Sequence, residues 1–269
     1  MNYFSEDSRM LVYGSMQPYT DIFCFSTTRH GGYSEGAYAS FNCNGYCGDR
    51  EETVERNREL LCGLLPQRPE NLVIPHQIHG TEVRVIDEAF LRLPASKRTM
   101  ALEGVDALVT NIPGQCLCIS TADCIPVLCY DRHLRVAAAV HAGWRGTVAR
   151  IVEKTLDRMR EVYGTRAEDI VACIGPGISL DAFEVGDEVF EAFRDAGFPM
   201  DRIARRLSKW HLDLWEANRL QLLERGVPEA QVSVSGLCTY RLNETFFSAR
   251  RQGIRSGRIL SGILLMQHS

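Results

Sequence analysis

Short apolar runs separated by turn residues dominate the middle of the chain. Residues 107–111, 116–120 and 125–130 are too short for helices and are predicted as buried strands. Residues 135–140 form another, ending at His141, after which Gly143 and Gly146 permit a tight turn. The period then lengthens. Val148, Ile151, Val152, Leu156, Met159 and Val162 mark one apolar helical face, with Gly164 placed to cap it. Val54, Leu60 and Leu61 recur near helical spacing and predict a helix over 51–65, and further helices are read over 185–196 and 212–225. Strands are expected at 171–174, 232–237 and 259–265, and an extended segment at 71–86. Strands and helices mix without strict βαβ alternation. The expectation is an α/β (α+β) fold, with mixed β-sheet layers flanked by helices. No repeat, low-complexity tract or Pro/Gly/Ser-rich linker divides the sequence, so residues 1–269 read as a single domain.

Composition narrows the class. With 269 residues, 45% of them hydrophobic, the chain can bury a substantial core without disulfide support. The formal charge of -4 offers no basic face for nucleic acid. No apolar stretch approaches the roughly 20 residues that a membrane span needs. Residues 1–10 carry Glu6, Asp7 and Arg9, which is unlike a secretory leader. A reducing, cytoplasmic setting is therefore expected for the ten cysteines, with Cys116, Cys118 and Cys129 acting as small buried hydrophobes.

The candidate chemistry lies where strand-like runs break. His76, His79 and His141 fall in polar or glycine-containing turns, and Cys124 follows Asp123 in a similar break. Imidazole and thiolate are zinc's preferred donors, and three of them leave a fourth position open for water or substrate. His79, Cys124 and His141 make such a set, although their long, irregular spacing equally suits loop histidines and a packed cysteine. His76 lies three residues from His79, so in an extended segment the two side chains point to opposite faces. Asp123 is either a partner that orients a ligand or a cap on the following turn.

Three strings resemble the hallmark blocks of the laccase-domain family, also called multicopper polyphenol oxidase or peptidoglycan editing factor and described as purine nucleoside phosphorylases. They are His76-Gln77-Ile78-His79-Gly80, Thr121-Ala122-Asp123-Cys124-Ile125-Pro126 and His141-Ala142-Gly143-Trp144-Arg145-Gly146-Thr147. The resemblance continues at both ends, through Thr28-Arg29-His30-Gly31-Gly32 with Asn42, Phe183-Glu184-Val185-Gly186, Asp213-Leu214-Trp215 with Asn218-Arg219, and Phe247-Ser248-Ala249-Arg250-Arg251 with Gly257-Arg258. It implies metal ligands at His79, Cys124 and His141, phosphorolysis of adenosine, inosine and methylthioadenosine, deamination of adenosine, and a homodimer. Many members carry Cys in the Gly-Pro-Cys turn where this chain has Gly177, so no thiol can act there. Under this reading Zn2+ is the cofactor, with Cu2+ able to compete for the same donors. Asp123 is the candidate proton carrier and Arg145 a second catalytic candidate. Arg29, Arg145, Arg250 and Arg251 are candidates for holding phosphate, Asn42 is a further candidate for the substrate and phosphate site, and Trp144 either stacks on the base or packs in the core.

Two other chemistries remain open. A blue-type multicopper oxidase would need many His-x-His pairs, whereas only seven histidines occur and none forms such a pair. A single copper in this site would leave phenol oxidation as a side reaction. A thiol hydrolase with Cys124 as nucleophile and His141 as base would suit trimming of cell-wall peptidoglycan precursors.

Overall fold

The computed structural model describes residues 2–267, so the outermost positions of the predicted domain lie outside the described residues. The chain opens with strands β1 (Tyr3–Phe4), β2 (Met10–Val12) and β3 (Ile22–Thr27), followed by helix α1 (Glu51–Leu64). Next come β4 (Asn71–Val73), β5 (Glu82–Val85), helices α2 (Glu88–Leu91) and α3 (Ala95–Ala101), and β6 (Val105–Thr110). Strands β7 (Gln115–Thr121), β8 (Ile125–Asp131) and β9 (Val136–Ala142) lead into α4 (Trp144–Val148), α5 (Ile151–Tyr163) and β10 (Ile170–Ile174). The last third holds β11 (Glu184–Val185), α6 (Asp187–Asp195), α7 (Met200–Ile203), β12 (Ala204–Arg206), β13 (Trp210–Leu212), α8 (Leu214–Glu224), β14 (Val232–Val234), α9 (Ala249–Gln252) and β15 (Ile259–Leu265).

Two six-stranded mixed sheets result, ordered β1-β2-β3-β15-β7-β4 and β14-β10-β8-β9-β6-β5, with a small third sheet β11-β13-β12. Strands β6 to β10 and β15 are buried along their whole length, which explains their near-continuous apolar runs. Alternate residues serve different layers. Leu117, Ile119, Leu128, Ala137, Ala139 and Ile263 fill the space between the large sheets. Val127, Val140 and Ala172 face outward onto Ile151, Val152, Leu156 and Met159 of α5 and Leu220 of α8. On the opposite outer face Phe25, Cys116, Cys118 and Leu260 pack against Leu61 of α1. The expected α/β domain is therefore a four-layer sandwich of helix, sheet, sheet and helix. The three consecutive alanines of β9, Ala137 to Ala139, are all fully buried. Their small side chains suit a strand packed on both faces.

Several predicted elements are divided. The extended segment 71–86 is two strands in different sheets, because β4 pairs with β7 while β5 pairs with β6. Its middle, residues 76–80, crosses from one sheet to the other. The helical face read from Val148 onward is interrupted at Arg150, whose φ of 64° stops α4 before α5 begins. Residues 185–196 and 212–225 each begin with strand residues. Val185 and Leu212 belong to the third sheet, and the Asp213 carboxylate caps α8 by accepting from Glu216 N. Pairing with β10 ends at Val234, so the strand expected to run to residue 237 is shorter. Helices α2 and α3 were not anticipated; one is four and the other seven residues long, too short for a clear period.

Leu108 lies fully buried between the two large sheets. Leu108→Ala is expected to cost about 2–5 kcal/mol of stability. Urea unfolding followed by circular dichroism measures it, and a loss below about 1 kcal/mol would mean that the space between the sheets closes around the deletion.

Candidate metal centre

The two large sheets meet at one end of the sandwich, and the candidate ligands converge there. β7 belongs to the first sheet and β8 to the second, so the linking residues Ala122, Asp123 and Cys124 must cross between them. Asp123 makes the crossing with φ 86°, and Cys124 follows it. His141 sits inside β9, which runs one residue past the end that the sequence reading placed at His141. His79 comes from the other crossing segment and adopts φ 64°. A positive φ is uncommon for a non-glycine residue and persists only where the surroundings impose it.

Asp106 supplies much of that constraint. The register that pairs Ala107 with Val140 brings Asp106 of β6 beside His141 of β9. Its Oδ1 lies 2.7 Å from His141 Nδ1 and accepts from His79 N at 3.0 Å; Oδ2 accepts from Ile78 N and Gly80 N at 3.2 and 2.7 Å. The same segment is tied to the first sheet by Gln77, whose amide donates to Ser120 O and accepts from Ser120 N. This crossing segment is thus fastened at both sheets.

The metal-ligating atoms of His79, Cys124 and His141 all lie within 4.8 Å of one another, the one such group of His, Cys, Asp or Glu among the described residues. Cys124 Sγ is 3.7 Å from His79 Nε2, and the two imidazoles meet edge to face with centroids 4.8 Å apart. With Nδ1 of His141 bound to Asp106, its Nε2 remains for a ligand. Gly143 leaves the cluster open: a Cβ there would lie 2.8 Å from His79 Cδ2 and 3.1 Å from Cys124 Sγ. Electrostatics favour the donor set as well. Burial works against the Cys124 thiolate, but His141 and His79 outweigh it and draw its pKa down to about 6. Burial also opposes charge on His141, yet Cys124 and Asp106 raise it to about 9. Asp106 is held below the usual carboxylate range, its burial offset by His141 and the Gly80 and Ile78 amides. A thiolate with two imidazoles is what a zinc-type ion selects, so these residues fit such a metal.

The cluster opens into a cavity of about 670 Å³. Asp123, Trp144 and Arg250 line it with the three ligands, as do Tyr46, His76, Ser120, Phe183 and Arg258. The Asp123 carboxylate accepts from Thr239 Oγ1 and from Arg250 N, both at 2.7 Å. Arg250 also donates to Glu184 O at 3.0 Å. Trp144 packs against the core, with the Arg145 guanidinium 4.3 Å from the centroid of its ring.

Other predicted residues stand apart from the cavity wall. Arg29 spends its guanidinium on the carbonyls of Ala39 and Asn243. Asn42 is fully buried behind the wall, joining Asn44, Asp49 and Arg258 N. Arg251 points to Tyr240. Gly177 backs the ligand loop, where a Cβ would meet Ile125 Cδ1 at 2.3 Å. Sequence reasoning missed Asp106, which sits in an apolar strand; a lone acid in such a run was the available signal.

Two imidazoles and a cysteine sulfur, set where two β-sheets meet and open on one side, form a group that could hold one metal ion. Residues 23–266 match the family model described as multi-copper polyphenol oxidoreductase laccase, and the chain belongs to that family. It is 56% identical over 264 residues to a protein named purine nucleoside phosphorylase from Bacteroides thetaiotaomicron, covering 97% of this chain and 98% of that one. It is 43% identical over 242 residues to adenosine deaminase RL5 from an unknown prokaryotic organism, covering 89% and 92%. The crystal structure of YlmD from Geobacillus stearothermophilus superposes with a TM-score of 0.90 at 32% identity, covering 99% of this chain and all (100%) of that one.

Gly143→Ala is expected to lower bound metal well below one ion per chain without unfolding the protein, read by metal analysis beside circular dichroism. Asp106→Asn should weaken metal affinity about 10–100-fold in chelator competition. Unchanged affinity would mean that His141 is oriented by something else.

Proposed function

We propose that the chain is a zinc-dependent purine nucleoside phosphorylase that also deaminates adenosine. The observation that carries this reading is the His79–Cys124–His141 cluster opening into a cavity whose volume suits a small-molecule ligand. The relatives named purine nucleoside phosphorylase and adenosine deaminase supply the reaction classes. Bound by the three donors, zinc supplies Lewis-acid activation at neutral pH. Copper competes for the same donors, and phenol oxidation would then follow from loading rather than design.

The chain's own residues do the rest. Arg250, at the cavity wall, holds phosphate near C1′ of the ribose, the task to which a planar guanidinium is suited. Arg145 braces Trp144, which closes one side of the cavity. In deamination, water oxygen bonds to C6 as the C6–N6 bond breaks. Asp123 carries the water's proton to the departing nitrogen, and its hydrogen bonds from Thr239 and Arg250 keep the carboxylate at the wall. Ten free cysteines, seven of them buried, suit a reducing cytoplasm. Among the described residues no helix is long and apolar enough to cross a membrane.

A second reading rests on the alignment of Asp106, His141 and Cys124, which repeats the orienter–base–nucleophile order of a thiol hydrolase. Such an enzyme would act on peptidoglycan precursors without metal.

Purified protein is expected to convert adenosine to adenine and ribose 1-phosphate when phosphate is present, and to inosine and ammonia in water. His141→Ala and chelation should each remove both activities, read by chromatography. Activity that survives chelation but not thiol alkylation would establish the hydrolase reading instead. Asp123→Asn with zinc retained should slow deamination about 10²-fold or more; the parent rate would remove Asp123 from the mechanism.

A further inference from the structure

A second titratable assembly, which the metal cluster does not use, reaches the cavity wall through His76. His76 Nδ1 lies 2.5 Å from Glu103 Oε1. The backbone places the two together before the side chains meet: residues 76 and 103 form a parallel bridge, with His76 N donating to Leu102 O and Gly104 N to His76 O. Tyr46 stacks on the imidazole with centroids 4.3 Å apart and planes 15° from parallel, which fixes the ring's orientation. Tyr46 and His76 both line the cavity shared with the metal ligands. Glu103 occupies Nδ1, so Nε2 is the ring position left for a ligand. The pair is partly exposed to solvent, and the stacked Tyr46 and the wall position of His76 are what set it apart from an ordinary surface ion pair.

Resting on the phosphorylase reading above, we propose that His76 is the general acid that protonates the departing purine at N7. Phosphorolysis forms a bond from a phosphate oxygen to C1′ and breaks the C1′–N9 bond. The electron pair of that bond passes into the purine, which leaves as an anion unless a proton reaches N7. His76 Nε2 delivers that proton, and the neutral imidazole recovers one from solvent. Glu103 and Tyr46 are positioning residues that hold the ring's orientation.

The test compares inosine with 7-methylinosine, whose N7 carries a methyl group and a fixed positive charge and so needs no proton to leave. His76→Gln should lower kcat for inosine about 10²-fold or more at similar KM. With 7-methylinosine the loss should be about threefold or less, a difference that a structural role for His76 would not produce. Glu103→Gln should show the same selectivity more weakly. If the parent enzyme refuses the methylated nucleoside, free imidazole should restore inosine cleavage to His76→Gly at least tenfold, with parent enzyme as the control for inhibition. Equal losses on both substrates overturn the proposal, as does a loss below threefold on inosine, or the absence of rescue where rescue is the readout. No phosphorolysis of any nucleoside by zinc-loaded parent enzyme would instead remove the phosphorylase reading, and this inference with it.

Discussion

A buried carboxylate organises this molecule. Asp106 has no solvent exposure, and leaving it charged there would be costly without compensation. Three successive backbone amides, Ile78 to Gly80, and the Nδ1 of His141 provide it. The same contacts hold His79 in its left-handed conformation and aim His141 toward Cys124. The acid is satisfied only when both ligand-bearing segments are in place, so its burial and the shape of the site depend on each other.

The sandwich explains why such a centre sits at its edge. Two apolar sheets close tightly where Ala137, Ala139, Leu117 and Ile119 face each other. Chain passing between the sheets must do so at their ends, where peptide groups lose strand partners and require others. Gln77 and Asp106 answer that requirement for one crossing; for the other, Ile178 N donates to Asp123 O, while the Asp123 carboxylate takes the Thr239 hydroxyl and the Arg250 amide. Polar groups needed to build the crossings thus border the cavity. Irregular backbone at the end of a rigid scaffold is where binding residues commonly gather.

The buried strands were legible because each is covered on both faces and reads as a short apolar run bounded by glycine, proline or polar residues. The helix through Ile151, Leu156 and Met159 was legible because one stripe faces a sheet. Less legible were elements whose identity depends on remote partners. Nothing local in residues 71–86 says that its halves join different sheets, and no period marks α2 or α3. The arginines show the same limit. Arg29, Arg250 and Arg251 are alike as sequence, yet one is consumed by backbone carbonyls, one borders the cavity and one points to Tyr240.

By itself the sequence determined the α/β class, the buried strands, the likeness to a known family and, through it, the candidate ligand set His79, Cys124 and His141. These follow from residue type and near-neighbour order, which are local properties. Only the tertiary structure decided that Asp106 orients His141, that Gly143 leaves room beside the ligands, and that His76 turns to Glu103 and Tyr46 instead of joining the cluster. Each of those depends on segments distant in the chain, which become neighbours only when strands pair and the sheets pack.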